Sequence, residues 1–243
     1  MMYEAVLFDI GDTLVHFQTY RTRRYAQEGA MLAHARLIEL GRNPPPHRSY
    51  YRRVRWAFLA AYVDSRLRRR EVRLEETLRR AHRRMGIDLT ATQITELLLC
   101  CGPAIRPLYV RDEHAIPVVE SLHAAGLKLG IVSNTFFPGH AVDGVLDAFG
   151  LLSYFPVRVY SSDVGVRKPH PNIFRAALER MGVAAGQSLY VGDHPRKDIR
   201  GAARVGMTPV LMAKTGRFST RRAGAAYVIH ELTELLPICL GKT

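Results

Sequence analysis

Several things are scarce in this chain, and each shortage removes a class of protein. Three cysteines, Cys100, Cys101 and Cys239, form neither an even disulfide framework nor a metal-ligand spacing, so they read as reduced, partly buried thiols. No apolar run approaches the roughly 18 residues that a membrane-crossing helix needs. Glu4 and Asp9 interrupt the early apolar stretch, so nothing resembles a signal peptide; the cytoplasm is the expected compartment and no membrane partner is expected. Internal repeats and low-complexity tracts are absent. Lysine is missing from His16 to Ile105, where 18 Arg stand against 8 acids and account for most of the formal charge of +13. Helix-turn-helix, zinc-finger and RNP-like patterns are missing as well. The clusters "RTRR", "YYRRVRW" and "RLRRREVR" therefore read as solvated helix surface, with nucleic acid or another polyanion as the alternative partner.

What is present is a chain of 243 residues, 47% hydrophobic, long enough for one large domain or two modest ones. Four apolar runs bounded by Gly, Asp or Ser read as buried parallel strands: "AVLFD", "LKLGIVS", "SLYVGD" and "TPVLMA"; "VRVYSS" adds a fifth candidate. Helical patterns lie between them. "DEHAIPVVESLHAAG" has an Asp that can cap it and closes at Gly126, "HPNIFRAALERMG" runs from Pro171 to Gly182, and "RKDIRGAARVG" ends at Gly206. This alternation predicts an α/β fold with a doubly wound parallel sheet, whose ligands bind outside the carboxyl ends of the strands. From about residue 18 to 100 every pattern is helical, broken at "NPPPH". Val54, Phe58, Tyr62 and Leu67 can share one helix face, as can Leu74, Leu78 and Ala81. The expected organisation is an α/β core over 1–15 and 106–243, with an all-helical domain inserted over 16–105.

Acids, hydroxyls and a lysine gather at the predicted strand ends: Asp9, Thr13, Ser133, Lys168, Asp193 and Asp198. Each alone is a weak signal, since a strand-end Asp is often a helix cap and "KP" often a turn; together they favour one site. Here the chain resembles the haloacid dehalogenase superfamily, whose members carry four short motifs on a Rossmann-like core. "LFDIGDTL" is similar to the first motif, "IVSNT" to the second, "GVRKPHPNIF" to the third and "LYVGDHPRKDIRGA" to the fourth, in that order. The match spans Tyr3 to Val15 and roughly Arg106 to Leu236, and the helical insertion resembles this family's cap.

The resemblance implies a set of roles. Asp9 is the nucleophile, forming an aspartyl intermediate that divides one displacement into two. Mg²⁺ is the implied cofactor, held by Asp9, the backbone carbonyl of Gly11 and Asp193, with Asp198 supporting the metal waters and Lys168. Ser133, Asn134, Thr13 and Lys168 are the implied phosphate-binding residues. The implied partner is a small anionic, phosphorylated substrate, and no oligomeric state is specified.

One position departs from the pattern. Phosphatases of this family usually place a second Asp two residues after the nucleophile, as the acid that protonates the leaving alcohol; here that place holds Gly11, and Asp12 follows where the pattern has Gly. Four readings stay open. A dehalogenase-like enzyme needs neither that acid nor a metal, which leaves Asp193 and Asp198 unexplained. A phosphonatase-like enzyme needs a cap Lys, and the insertion has none. A phosphatase lacking general acid help is slowed by about 10²–10⁴-fold but still turns over, best on esters with acidic leaving groups, unless Asp12 or a cap residue supplies the proton. A non-catalytic anion-binding protein is the fourth. His16, His114, His140, His170 and His194 are candidates for the missing acid, although loop histidines of this kind read as solvated, and Lys197 reads as a solvent-facing side chain.

Overall fold

The computed structural model describes residues 3–17, 22–68, 73–101, 106–135, 137–214 and 224–241. In chain order its elements are β1 (Ala5–Phe8), β2 (Val15–Phe17), α1 (Thr22–Glu39), α2 (His47–Arg68), α3 (Leu74–Arg83), α4 (Ala91–Cys100), β3 (Tyr109–Arg111), α5 (Ala115–Ala124), β4 (Lys128–Ser133), α6 (Gly139–Ala148), β5 (Val157–Tyr160), α7 (Pro171–Met181), β6 (Ser188–Gly192), β7 (Thr208–Met212), β8 (Tyr227–Ile229) and α8 (Leu235–Leu240). Shorter helical turns occupy Ser161–Val164, Pro195–Ile199 and Arg200–Ala203. The chain divides into two compact units, one of Met1–Phe17, Val110–Thr135 and Leu146–Thr243, the other of Gln18–Tyr109 and Phe136–Val145. The second unit thus draws in a short stretch beyond the all-helical segment of the sequence. No helix of the described residues is long and apolar enough to cross a membrane.

In the first unit six parallel strands form one sheet in the order β5-β4-β1-β6-β7-β8. β1 lies in the middle because all four of its residues are apolar and buried, which suits a strand covered on both faces. Its Ala5 stands opposite Lys128 of β4 on one side and Ser188 of β6 on the other. The chain fills β1, β4 and β5 towards one edge, then returns to lay β6, β7 and β8 towards the other. The direction reverses between β1 and β6, so a crevice opens at their carboxyl ends, where Asp9 and Asp193 follow directly. β8, three residues long, is the strand of this sheet that the sequence pattern did not predict, and β2 and β3, which pair in a separate two-stranded sheet, were not predicted either.

The flanking helices follow their apolar spacing. α5 buries Ala115, Val118, Val119 and Leu122. α7 starts with Pro171, takes a side-chain cap from His170 Nδ1 to the Asn172 N–H, and ends at Gly182 in the left-handed conformation, φ 60°. Its Phe174 meets the Tyr190 ring of β6 edge-on at 5.0 Å. Asp112, expected to cap α5, sits two residues before its N-cap His114 and accepts that residue's N–H at 2.9 Å; its other oxygen is claimed by Lys214, an attraction stronger than a cap.

The helical unit packs around Leu37, Tyr50, Ile87, Ile94 and Leu97, with Val54, Phe58 and Leu78 against them and Leu74 and Ala81 buried. Tyr62 and Leu67, expected on that same face, are 39% and 79% exposed; α2 is longer than the core it covers, so its last turns pass beyond it. Thr90 and Gln93 close a reciprocal capping box on α4. Several arginines pair with neighbouring acids in solvent, Arg24 with Glu28, Arg36 with Glu39 and Glu96, Arg80 with Glu76, as a solvated surface would. Parts of the clusters "RTRR" and "RLRRREVR", and Ile105 at the expected domain boundary, lie outside the described residues.

Gly201 marks the tightest contact of a helical segment with α7. A Cβ there would stand 2.7 Å from Phe174 Cε2 and 3.3 Å from the backbone of Pro169, neither able to yield freely. Gly201→Ala is expected to cost about 1–3 kcal/mol through overpacking. Thermal denaturation should show a lowered midpoint for this variant, whereas Gly186→Ala, where a Cβ meets nothing within 4 Å, serves as the comparison and should change it little.

Candidate active site

The strand ends bring Asp9, Ser133, Lys168, Asp193 and Asp198 to one place. Asp9 extends the β1–β6 ladder by one bond, its N–H donating to the Val191 carbonyl at 2.8 Å, so its backbone is fixed by the sheet itself. Three donors then converge on its Oδ1: the Ile10 N–H at 2.8 Å, Ser133 Oγ at 2.7 Å and Lys168 Nζ at 3.0 Å. The plane of the carboxylate is thereby set. Ser133 is the last residue of β4, which neighbours β1, and this adjacency brings the two together across 124 positions of sequence.

Lys168 is the buried cation of the site. Its Nζ reaches Asp198 Oδ1 at 2.7 Å and Asp9 Oδ1 at 3.0 Å, and donates to Tyr190 Oη at 2.8 Å, which uses its three hydrogens. Desolvation works against the charged amine, but Asp198 and Asp9 outweigh it and hold its pKa above the ordinary lysine range. Tyr190 Oη passes its own hydrogen to the Val132 carbonyl at 2.8 Å. Asn134 holds the backbone of Lys168 from both sides, Oδ1 accepting the Lys168 N–H at 2.8 Å and Nδ2 donating to the Lys168 carbonyl at 3.1 Å. The side chain expected on the phosphate is thus engaged in bracing the lysine.

The fourth motif forms around β6. Gly192 ends the strand, and a Cβ there would fall 2.6 Å from Asp198 Cβ, so only glycine lets that side chain lie across the strand end. Asp198 is buried within a π-helical turn, a local widening that recurs at functional sites; its Oδ2 accepts the His194 N–H at 2.9 Å. His194 caps this turn, Nδ1 accepting from Arg196 and Lys197. Lys197, expected in solvent, is half-buried, and desolvation lowers its pKa. Burial pushes the Asp193 carboxyl up to about 7, helped by the negative charges of Asp9, Asp198 and Asp12.

One oxygen from each of Asp9, Asp193 and Asp198 lies within 4.8 Å of the others. Three carboxylates of hard oxygen donors against one ammonium leave an excess of negative charge, and that donor set fits a hard divalent cation. Thr13, within the loop, is buried, and its Oγ1 has no hydrogen-bond partner among the described residues.

The loop after Asp9 shows what the exchange of Gly and Asp does. Val15 and Leu14 donate back to the Ile10 carbonyl and Asp12 donates to the Val15 carbonyl at 2.8 Å, closing a tight turn. Asp12 carries it at φ 52°, the left-handed region that favours glycine, while Gly11 avoids that region and a Cβ on it would meet nothing within 4 Å. Position 11 has room for a side chain and position 12 asks for none, so the two residues are transposed relative to what the backbone requires. The Asp12 carboxylate faces His16, Oδ1 lying 3.6 Å from Nδ1.

Two features escaped the sequence pattern. Tyr190 reads as core within an apolar strand, and only an aromatic hydroxyl among aliphatic residues hints at a buried partner. His16 bonds Asp112, 96 positions on in the chain, and Asp112 accepts from Lys214, a further 102 positions on, a set of pairings that no local motif announces.

A family model described as haloacid dehalogenase-like hydrolase matches residues 3–206. A glyceraldehyde 3-phosphate phosphatase from Methanopyrus kandleri is 31% identical over 215 residues, 88% of this chain and 85% of the relative. Two further curated relatives match over 54% of their own length. Among solved structures, a HAD phosphatase from Thermococcus onnurineus shares 29% identity at a TM-score of 0.64, covering 98% of this chain and 99% of that one. A 2-haloacid dehalogenase from Pseudomonas syringae reaches a TM-score of 0.64 at 24% identity over 99% of both chains, a likeness of fold alone.

Tyr190→Phe removes one acceptor from Lys168 and the donor from the Val132 carbonyl while keeping the ring against Phe174. Leaving such buried groups unsatisfied is expected to cost about 1–3 kcal/mol. Urea denaturation should show a lower midpoint at an unchanged slope.

Proposed function

The chain belongs to the haloacid dehalogenase-like hydrolases, and from that membership we propose that it is a Mg²⁺-dependent phosphomonoesterase acting on a small phosphorylated substrate through an aspartyl-phosphate on Asp9. The observation that carries this reading is the convergence of Ser133, Lys168 and the Ile10 N–H on one oxygen of Asp9, beside two further carboxylates. Three clustered carboxylates suit a divalent cation, which a phosphatase of this kind uses and a dehalogenase-like reaction does not need.

Asp9, the Gly11 carbonyl and Asp193 would hold the ion. Asp198, whose oxygens serve Lys168 and the His194 N–H, acts behind them. When bound, the cation neutralises charge on the phosphoryl group and on the carboxylates that face it. The chain's own part is then clear. Lys168 offsets repulsion between phosphate and the Asp9 carboxylate, Ser133 donates to a phosphoryl oxygen, and the hydroxyl of Thr13 supplies a further donor or braces the loop. Asp9 attacks phosphorus, the ester oxygen leaves, and water then releases phosphate and restores the carboxylate. The helical insertion follows the Asp9 loop in the chain, the place at which this family carries its substrate-selecting cap, and serves as that cap. The name of the Methanopyrus relative supports a phosphorylated metabolite of few carbons as substrate.

Two predictions test this. Wild-type protein should release phosphate from an aryl phosphate only with Mg²⁺, and Asp9→Asn should abolish that release; metal-free halide release from a 2-haloacid would sink the phosphatase reading in favour of dehalogenation. Mg²⁺ should also raise the thermal midpoint of the wild type, and Asp193→Asn should remove that increase. A second prediction concerns the transposed pair: with open space at position 11, Gly11→Asp should speed hydrolysis of alkyl phosphates, within the about 10²–10⁴-fold that general acid help is worth. A rate unchanged on alkyl esters would show that the chain already has its acid.

A further inference from the structure

The cluster "YYRRVRW" lies in α2, and the mechanism above makes no use of it. One side of α2 covers the helical core, where Tyr50 is buried and Val54 and Phe58 pack beside it. The opposite side is apolar as well. Trp56, Leu59, Val63 and Leu67 are 61%, 41%, 49% and 79% exposed. At 100° per residue these four fall within about 80° of the helix circumference, and at 1.5 Å per residue they form a row about 16 Å long. A helix with one covered face ordinarily turns polar residues outward, so a second apolar row calls for a partner.

The charges around that row are of one sign. Arg52 precedes it by one turn, Arg48 and Arg55 border it on one side and Arg53 on the other, and all four are exposed. Arg24, Arg36 and Arg80, elsewhere in the helical unit, pair with acids. The four arginines of α2 have no ion-pair partner among the described residues, and Asp64 is the only acid of that helix. The face therefore combines exposed apolar side chains with unbalanced positive charge.

That combination narrows the occupant. A second copy of this chain would lay the same arginines against one another across a two-fold axis, with one acid on each helix to offset them. A nucleic acid would satisfy the arginines but leave Leu59, Val63 and Leu67 in water. The boundary of a bilayer made with anionic lipids offers phosphates at its surface and acyl chains beneath, and it needs no matching register. The absence of a membrane-crossing helix among the described residues does not bear on this, since a helix that lies on a surface needs only one apolar side.

We propose that the outward face of α2 docks on an anionic lipid surface, with Trp56, Leu59, Val63 and Leu67 entering the boundary between headgroups and acyl chains and Arg48, Arg52, Arg53 and Arg55 on the lipid phosphates. Four side chains give a modest apolar contact and four arginines a salt-sensitive one, so the two act together and binding is reversible. The inference goes beyond the phosphatase reading and does not depend on it.

The test mixes the full chain with vesicles of phosphatidylcholine alone, or of phosphatidylcholine and phosphatidylglycerol in equal parts. Trp56 is the only tryptophan in the sequence, so its fluorescence reports on this face alone. In the free protein its emission should be that of a hydrated indole. Vesicles with phosphatidylglycerol should move it to shorter wavelength and carry the protein down on sedimentation; phosphatidylcholine alone should do neither, and added salt should reverse both effects. Arg52→Glu combined with Arg55→Glu, and separately Val63→Glu, should each weaken binding by about tenfold or more. Arg24→Glu combined with Arg80→Glu, the same change of net charge away from α2, should leave it within about threefold. No sedimentation with either vesicle, sedimentation without a shift at Trp56, or an equal loss in the Arg24 and Arg80 variant would overturn the proposal. So would an emission already at short wavelength in the free protein, or one that shifts with protein concentration, since the face would then be covered by the chain itself or by a second copy. A shift with polyglutamate and none with vesicles would overturn it in favour of an acidic protein partner. Phosphate release plays no part in these readouts, so the phosphatase reading is tested separately.

Discussion

A buried ammonium among carboxylates is the constraint from which the rest of the α/β unit's active end follows. Lys168 has no water to solvate it, so each of its hydrogens must find an acceptor, and Asp9, Asp198 and Tyr190 supply one each. An unpaired charge in that place would be strongly destabilising. Neighbouring choices answer to this need. Asn134 pins the lysine's backbone, Tyr190 stands on a central strand to reach it, and Gly192 has no side chain so that Asp198 can cross the strand end. Burial first, and then the charge that one lysine leaves unbalanced among three acids, raise the Asp193 carboxyl.

The same electrostatics ties the fold to chemistry. A parallel sheet whose direction reverses between β1 and β6 delivers two acids to one crevice without any long-range loop, and the neighbouring β4 adds Ser133. The residues of the loop after Asp9 are not fixed by the sheet. The tight turn after Asp9 places its left-handed residue at Asp12 instead of at a glycine, which turns that carboxylate towards His16.

Much of this was legible in the sequence, for physical reasons. Parallel strands buried on both faces are written as short apolar runs, and their carboxyl ends must be polar, so Asp9, Ser133, Lys168, Asp193 and Asp198 stand out at those junctions. Tyr190 did not, because a tyrosine in an apolar strand is core by default and its hydroxyl has no sequence signature. The network of His16 did not, because Asp112 and Lys214 follow β3 and β7 far along the chain and meet it only on folding. Asp112 looked like a helix cap, yet a lysine brought up by the sheet claimed it. Tyr62 and Leu67 matched a helical period but lie past the end of the core that α2 covers, a length that periodicity does not encode.

The central claim is that Asp9 becomes covalently phosphorylated during turnover. The most direct measurement is acid quench of a reacting mixture followed by mass spectrometry of the peptide spanning Ala5 to Val15. A phosphoryl group on Asp9, formed and lost on the timescale of turnover, is the predicted result. Turnover with the phosphoryl group on another residue, or with a kinetic burst and no modified peptide, would contradict it.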